Sequence, residues 1–116
     1  MRTPRFILPR GGAPTLELAL PREVGTEDVI YLTVSQSGLP VLEYARNGTP
    51  SPAATGSLTL SDQNAQTLRL QMTQADTLRL EAGDCDLQLR IKSEGQAEVF
   101  PLLHGAVGPV RKQGEI

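Results

Sequence analysis

Thr73–Lys92, reading T-Q-A-D-T-L-R-L-E-A-G-D-C-D-L-Q-L-R-I-K, is the stretch whose reading decides the fold. From Cys85 it alternates without a break. Cys85, Leu87, Leu89 and Ile91 fall on one face; Asp86, Gln88, Arg90 and Lys92 fall on the other. Successive side chains of a strand point to opposite faces, so this is a strand with one side in a core. Upstream, Thr73-x-x-Asp76 has the form of a capping box, which predicts a short helical turn over 74–77. The rival is a strand, because Leu78 and Leu80 alternate with Thr77 and Arg79. A helical turn followed by irregular or extended chain is preferred. Gly83 reads as the left-handed residue that stops such a segment.

Working outward, the other segments have the same period. Leu16, Leu18 and Leu20 share a face in Thr15 to Leu20, and Pro21 ends that run. Val29 to Ser35 is β-branched and apolar on both faces, as a central strand is. Ser37-Gly38 is a turn signal, so residues 29–45 read as a hairpin. Residues 46–56 hold Asn-Gly and two prolines and read as the most mobile internal loop. Leu58 and Leu60 mark a strand, Asp62-Gln63-Asn64 a polar turn, and Leu68, Leu70 and Met72 another strand. Their apolar spacing of two rejects a helix. Glu94-Gly95 turns the chain back into Ala97 to Leu103, with Val107 and Val110 as a weak extension.

About seven short strands with at most one helical turn near 74–77 predict an all-β chain, an immunoglobulin-like β-sandwich. At 116 residues it is expected to form one domain, with a core over about 15–107 and flexible or assembly-dependent tails at 1–13 and 108–116. Phe6-Ile7-Leu8 is too short to be more than an extended edge piece.

Composition narrows the function classes. Phe6, Tyr31, Tyr44 and Phe100 are the only aromatics, which argues against base-stacking or sugar-stacking surfaces. A net charge of −2, with acids and bases interspersed, leaves no nucleic-acid footprint. Arg2, Arg5 and Arg10, and Arg111 with Lys112, read as solvated tails. Cys85 is the single cysteine, so no internal disulfide forms. The N-terminus has no apolar h-region and no window approaches the ~20 apolar residues of a membrane helix. Synthesis and folding in a cytoplasm is the expectation.

No constellation for chemistry emerges. His104 is the single histidine and reads as partly exposed near a turn. Cys85 lies on the apolar face of its strand, where a thiol is inert. Glu81, Asp84 and Asp86 are the densest acids, but they lack the Gly-punctuated ladder of a calcium loop and read as a solvated strand edge. Asn47-Gly48-Thr49 matches a glycosylation sequon and reads better as turn chemistry. No catalytic, cofactor-binding or metal-ligating residues and no cofactor are expected.

Motifs across most of the chain carry a resemblance. They are R-G-G-A-P-T-L-E-L-A-L-P (10–21), V-I-Y-L-T-V-S-Q-S-G-L-P-V-L-E (29–43), L-R-L-Q-M-T-Q-A-D-T-L-R-L-E-A-G (68–83), L-Q-L-R-I-K (87–92) and the terminal K-Q-G-E-I. In these the chain resembles small immunoglobulin-like β-sandwich proteins of Firmicutes prophages, related to phage tail and baseplate modules. The resemblance implies a non-enzymatic virion structural protein that contacts other phage structural proteins, with a homo-oligomer as one form. It implies a place in the virion after folding in the bacterial host cytoplasm, without nucleic-acid or membrane partners. Loops 46–56 and 96–105 depart from the pattern. The alternative is a ligand- or glycan-binding module using its end loops.

Overall fold

The computed structural model describes residues 6–20, 23–25, 27–61 and 64–108. Residues 1–5 of the expected 1–13 tail, residues 109–116 of the expected 108–116 tail, the Pro21 stop and residues 62–63 of the expected 62–64 turn lie outside the described residues.

The described elements are β1 (Ile7–Pro9), β2 (Thr15–Ala19), β3 (Val29–Gln36), β4 (Leu39–Arg46), β5 (Ser57–Ser61), β6 (Asn64–Gln71), α1 (Gln74–Leu78), β7 (Gly83–Ser93), β8 (Gln96–Val99) and β9 (Leu103–Gly108). The larger sheet runs β1-β9-β7-β3-β4, with β8 also on β7; the smaller runs β2-β6-β5. The hairpins stand where the turn residues put them. Ser37 and Gly38 both have positive φ (53° and 78°), as do Glu94 and Gly95 (50° and 82°). Two consecutive positive-φ residues give a turn whose twist matches the flanking strands.

Register brings the apolar faces together. Ile30 pairs Ile91, Leu32 pairs Leu89 and Val34 pairs Leu87 across β3 and β7. In the smaller sheet Leu70 stands between Leu16 and Leu58, and Leu68 between Leu18 and Leu60. The core is thus aliphatic, with Tyr44 as its one buried aromatic. In chain order the larger sheet takes strands 1, 3, 4, 7, 8 and 9 and the smaller takes 2, 5 and 6. This is an immunoglobulin-like sandwich: β9, β7 and β3 occupy the G, F and C places, and β2, β6 and β5 the B, E and D places.

Several expectations need correction. The N-terminal boundary moves from about 15 to 6. β1 pairs β9 in parallel, Leu8 opposite Val107, and Leu8 is fully buried. Arg10 is not a solvated charge: its Nε donates to the Leu80 carbonyl at 2.7 Å, just past the end of α1. The strand expected over 97–103 is two strands on one edge of β7. Phe100 N–H reaches the Leu89 carbonyl at 3.0 Å, and Pro101, with no N–H, breaks the ladder before β9 begins. Gly83 does not stop the helix, because Arg79 is the C-cap; Gly83 opens β7 at φ 129°.

The short helix is where expected, and it does more than turn the chain. Thr73 caps it in a full capping box with Asp76. Asp76 and Thr77 are fully buried. The Asp76 carboxylate accepts from the N–H groups of Thr55 (2.7 Å) and Gly56 (2.9 Å), the Thr55 hydroxyl (2.9 Å) and the Tyr44 hydroxyl (2.8 Å). Thr77 works in the other direction: its hydroxyl donates to Gly12 O (2.7 Å) and accepts from Gly11 N–H (3.0 Å). One turn of helix thereby ties the N-terminal turn, β4 and the 47–56 loop together. Gly56 must be glycine for this, since a Cβ there would lie 2.0 Å from the Gln71 carbonyl oxygen.

Asp76→Asn should lower stability by about 3 kcal/mol, because an amide N–H would face donors that now point at a charge. A lower urea midpoint at unchanged slope is the expected result. Gly83→Val should cost about 1–3 kcal/mol through backbone strain, since open space surrounds the position and only its positive φ opposes a side chain.

Candidate functional site

The placement of β1 leaves a gap. An immunoglobulin-like first strand can border the second; here β1 pairs β9, and no described strand pairs with the outer edge of β2. Leu20 N–H donates to Gln66 O, and Met72 N–H to Pro14 O. That phase turns the main-chain groups of Leu16 and Leu18 toward β6. Those of Thr15, Glu17 and Ala19 face outward.

Beside this edge a groove of about 560 Å³ opens between the sheets. Leu18 and Leu20 form one wall, Leu32, Leu87 and Leu89 the floor, and Phe100, Pro101 and Leu103 the other wall. The Pro101 break explains the far wall: chain that leaves the ladder after Phe100 cannot close down onto β2.

The acids and the histidine come together at a different place. His104 Nδ1 lies 3.3 Å from Asp86 Oδ1, and Nε2 lies 3.7 Å from Asp84 Oδ1. The histidine is partly exposed, as expected, but it sits within β9 rather than near a turn. Glu81 is held at the same rim by its main chain, which exchanges two hydrogen bonds with the Gln36 amide (2.7 and 2.9 Å). Among the described residues no group of three or more His, Cys, Asp or Glu side chains is placed to hold a metal ion. Cys85 points into the core on the opposite face of β7. Burial first, then Asp86 and Asp84, push its thiol up to about 11. His104 and Cys85 therefore make no nucleophile–base pair. Asn47 has φ 63° and its amide donates to Asp28 O, which is turn chemistry.

Two carboxylates escaped the sequence reading. Glu43 is nearly buried. It accepts from Thr33 Oγ1 (2.9 Å), the Arg90 guanidinium (2.7 Å) and Ser51 N–H (3.0 Å). Arg90 also stacks over Tyr31, 4.9 Å from the ring centre. Nothing in V-L-E-Y-A distinguishes Glu43 from an outward strand residue. Asp76 was visible as a cap, but its four further partners were not. Burial pushes the Asp76 carboxyl up; hydrogen bonds from Thr55, Tyr44 and Gly56 outweigh it and hold the group below the usual carboxylate range. Burial and the facing Asp76 push the Tyr44 hydroxyl far up, so it stays a donor. With the loop held at both carboxylates, residues 51–56 are pinned to the sandwich rather than loose.

The strand order defines an immunoglobulin-like β-sandwich, and CopC is similar to it in fold. CopC from Methylosinus trichosporium OB3b superposes with a TM-score of 0.50 at 16% identity, covering 90% of this chain and 86% of that one. The V domain of amphioxus IgVJ-C2 gives a TM-score of 0.37 at 10% identity, covering 89% of this chain and 99% of that one. Such likeness is one of fold. No protein-family model and no curated protein sequence matches the chain.

Cys85 should react with a thiol reagent such as DTNB only on unfolding, at least ~100-fold more slowly in native buffer than in denaturant, because its thiolate is both scarce and covered. The pH dependence of stability has a definite sign at Asp76. A carboxyl with a folded pKa below its unfolded value of ~3.9 contributes stability that is fully present above that value. That contribution is lost as pH falls through the folded pKa. Urea unfolding followed below about pH 5 should show the loss in the wild type and a flatter profile in Asp76→Asn.

Proposed function

We propose that this domain is a non-enzymatic assembly module that works by protein–protein contact, in the tail or baseplate setting that the prophage resemblance implies. The observation that carries this reading is the outer edge of β2, unpaired among the described residues and lying beside an apolar groove. Main-chain groups of Thr15, Glu17 and Ala19 offer a ladder, and Leu18, Leu89, Phe100 and Leu103 offer apolar surface for alternate side chains of an added strand. An extended segment from another chain satisfies both at once, which is the logic of strand addition. The groove has the size of many small-molecule pockets, but such pockets also place a few polar groups to orient the ligand. Here the lining is aliphatic apart from Phe100 and Glu17, and Glu17 is engaged by Arg69 at 3.1 Å.

The test is co-purification of the full chain with the virion proteins encoded beside it, repeated with Glu17→Pro. Proline removes an outward N–H and is tolerated on an edge strand. Retention by the wild type and loss of at least ~10-fold in recovered partner by a folded Glu17→Pro protein is the expected outcome, since one blocked hydrogen bond and its displaced neighbours cost over 1 kcal/mol. Equal recovery by both would place the contact elsewhere. Failure of the wild type to retain any virion protein would refute the assembly role.

A further inference from the structure

Residues 51–56 are joined to the sandwich in an unusual way. They do not form a strand, yet they run along the outer edge of β4. Glu43 N–H donates to Pro52 O (2.7 Å), and Ala54 N–H donates to Glu43 O (3.1 Å), giving a single parallel bridge between Glu43 and Ala53. The segment therefore covers an edge that the larger sheet would otherwise leave open. Few apolar contacts hold it there. Ser51, Ala53 and Thr55 are exposed, and of its side chains Ala54 packs on the core.

Carboxylates supply most of the hold. Glu43, on β4, takes Ser51 N–H. Asp76, on α1, takes Thr55 N–H, Thr55 Oγ1 and Gly56 N–H. Both ends of the segment are thus fastened to ionised oxygens, one on each side of the bridge. The groups facing these acids are known from every packed element. Around Asp76 they are Tyr44 of β4, Thr73 at the cap, and Arg79, whose guanidinium donates to Ala53 O (2.7 Å) and Val41 O (3.0 Å). Around Glu43 they are Thr33 of β3 and Arg90 of β7. The two arginines stay charged at any pH of interest, and the hydroxyls have no acidic transition. Among these groups the carboxylates alone belong to a class that takes up a proton on acidification.

We propose that residues 51–56 form an acid-released strap: protonating Asp76 and Glu43 detaches it and uncovers the outer edge of β4 while the two-sheet core stays folded. The chemistry is a mismatch of donors. Each ionised carboxylate here accepts from at least three donors. A carboxylic acid brings an O–H of its own into that ring of donors, so at least one bond is lost and one donor meets another. The strap has little apolar burial to compensate, whereas β3 and β7 are held by Ile30, Leu32, Val34, Leu87 and Ile91, which titrate nowhere. This inference stands apart from the β2 groove and does not need it.

Backbone amide exchange followed by NMR, expressed as protection factors, tests it on the full chain from pH 7 down to about pH 2, low enough to reach a carboxyl held below the ordinary range. The expected result is a fall in protection at Ser51, Thr55 and Gly56 that exceeds any fall at Leu32, Leu89 and Ile91 by at least ~10-fold. Glu43→Gln should release Ser51 already at pH 7, and Asp76→Asn should release Thr55 and Gly56. Should Asp76→Asn fail to fold, Thr55→Val removes one hydroxyl bond to Asp76 and leaves its charge in place; the release should then move to higher pH than in the wild type. Strap and core amides losing protection together would overturn the proposal. So would strap protection that survives acid, or a Thr55→Val protein with an unshifted release.

Discussion

A single buried carboxylate ties together the parts of this sandwich that strand pairing does not. Asp76 sits on a helix of five residues, too short to be stable by itself, and it is the meeting point of the cap, β4 and the loop between β4 and β5. The order of causes runs outward from it. The capping box makes the turn of helix. That turn buries Asp76 and Thr77 side by side, and each then gathers a different part of the chain. Immunoglobulin-like domains often secure this corner with a tyrosine just ahead of the F strand. Here Cys85 stands at that position, and Tyr44 comes from β4 instead to bond Asp76. The tyrosine corner is absent, and a different bond, from Tyr44 to Asp76, secures this end of the sandwich.

The same economy shapes the edges. The larger sheet has its β4 edge covered by residues 51–56, while the smaller sheet leaves β2 without a described neighbour on its outer side. Where β1 goes decides this. By pairing with β9 it buries Leu8, packs the partly buried Phe6 against the core and gives up β2. Pro101 widens the consequence by taking the chain out of the ladder just where it faces β2. An open edge and an apolar groove are ordinarily liabilities, and their presence side by side on a small domain is the feature on which the proposed assembly role rests.

The sequence carried the repeating parts of this fold well and the singular parts poorly. Alternation located the long strands, because a period of two is written in each segment. Ser37-Gly38 and Glu94-Gly95 announced the hairpins, because positive φ has a compositional cost that few residues meet. Thr73 and Asp76 announced the helix. What stayed hidden depends on partners far along the chain. Leu8 is buried because of Val107; three residues cannot show that by themselves. Glu43 is buried because Ser51 and Arg90 arrive from opposite sides. His104 faces Asp86 because β9 lies against β7 in that register. Gly83 was correctly marked as unusual backbone and assigned to the wrong element, since composition shows that a special φ is needed and not which neighbour needs it. The candidate groove was illegible for the same reason: it is a missing strand pairing, and absence of pairing leaves no pattern.

The position of β7 has a consequence for the birth of the molecule. It touches β3, β8 and β9, so the larger sheet is organised about a strand that is read out only at residues 83–93. Until then a ribosome has released the β3–β4 hairpin without its central partner, and a lone hairpin is marginal in water. At about 5–20 residues per second the gap between completing β4 and completing β7 lasts seconds. Through that interval Ile30, Leu32 and Val34 wait without the faces they will meet. The chain is therefore most exposed to aggregation in the middle of its own synthesis, and the arrival of one late strand ends that exposure.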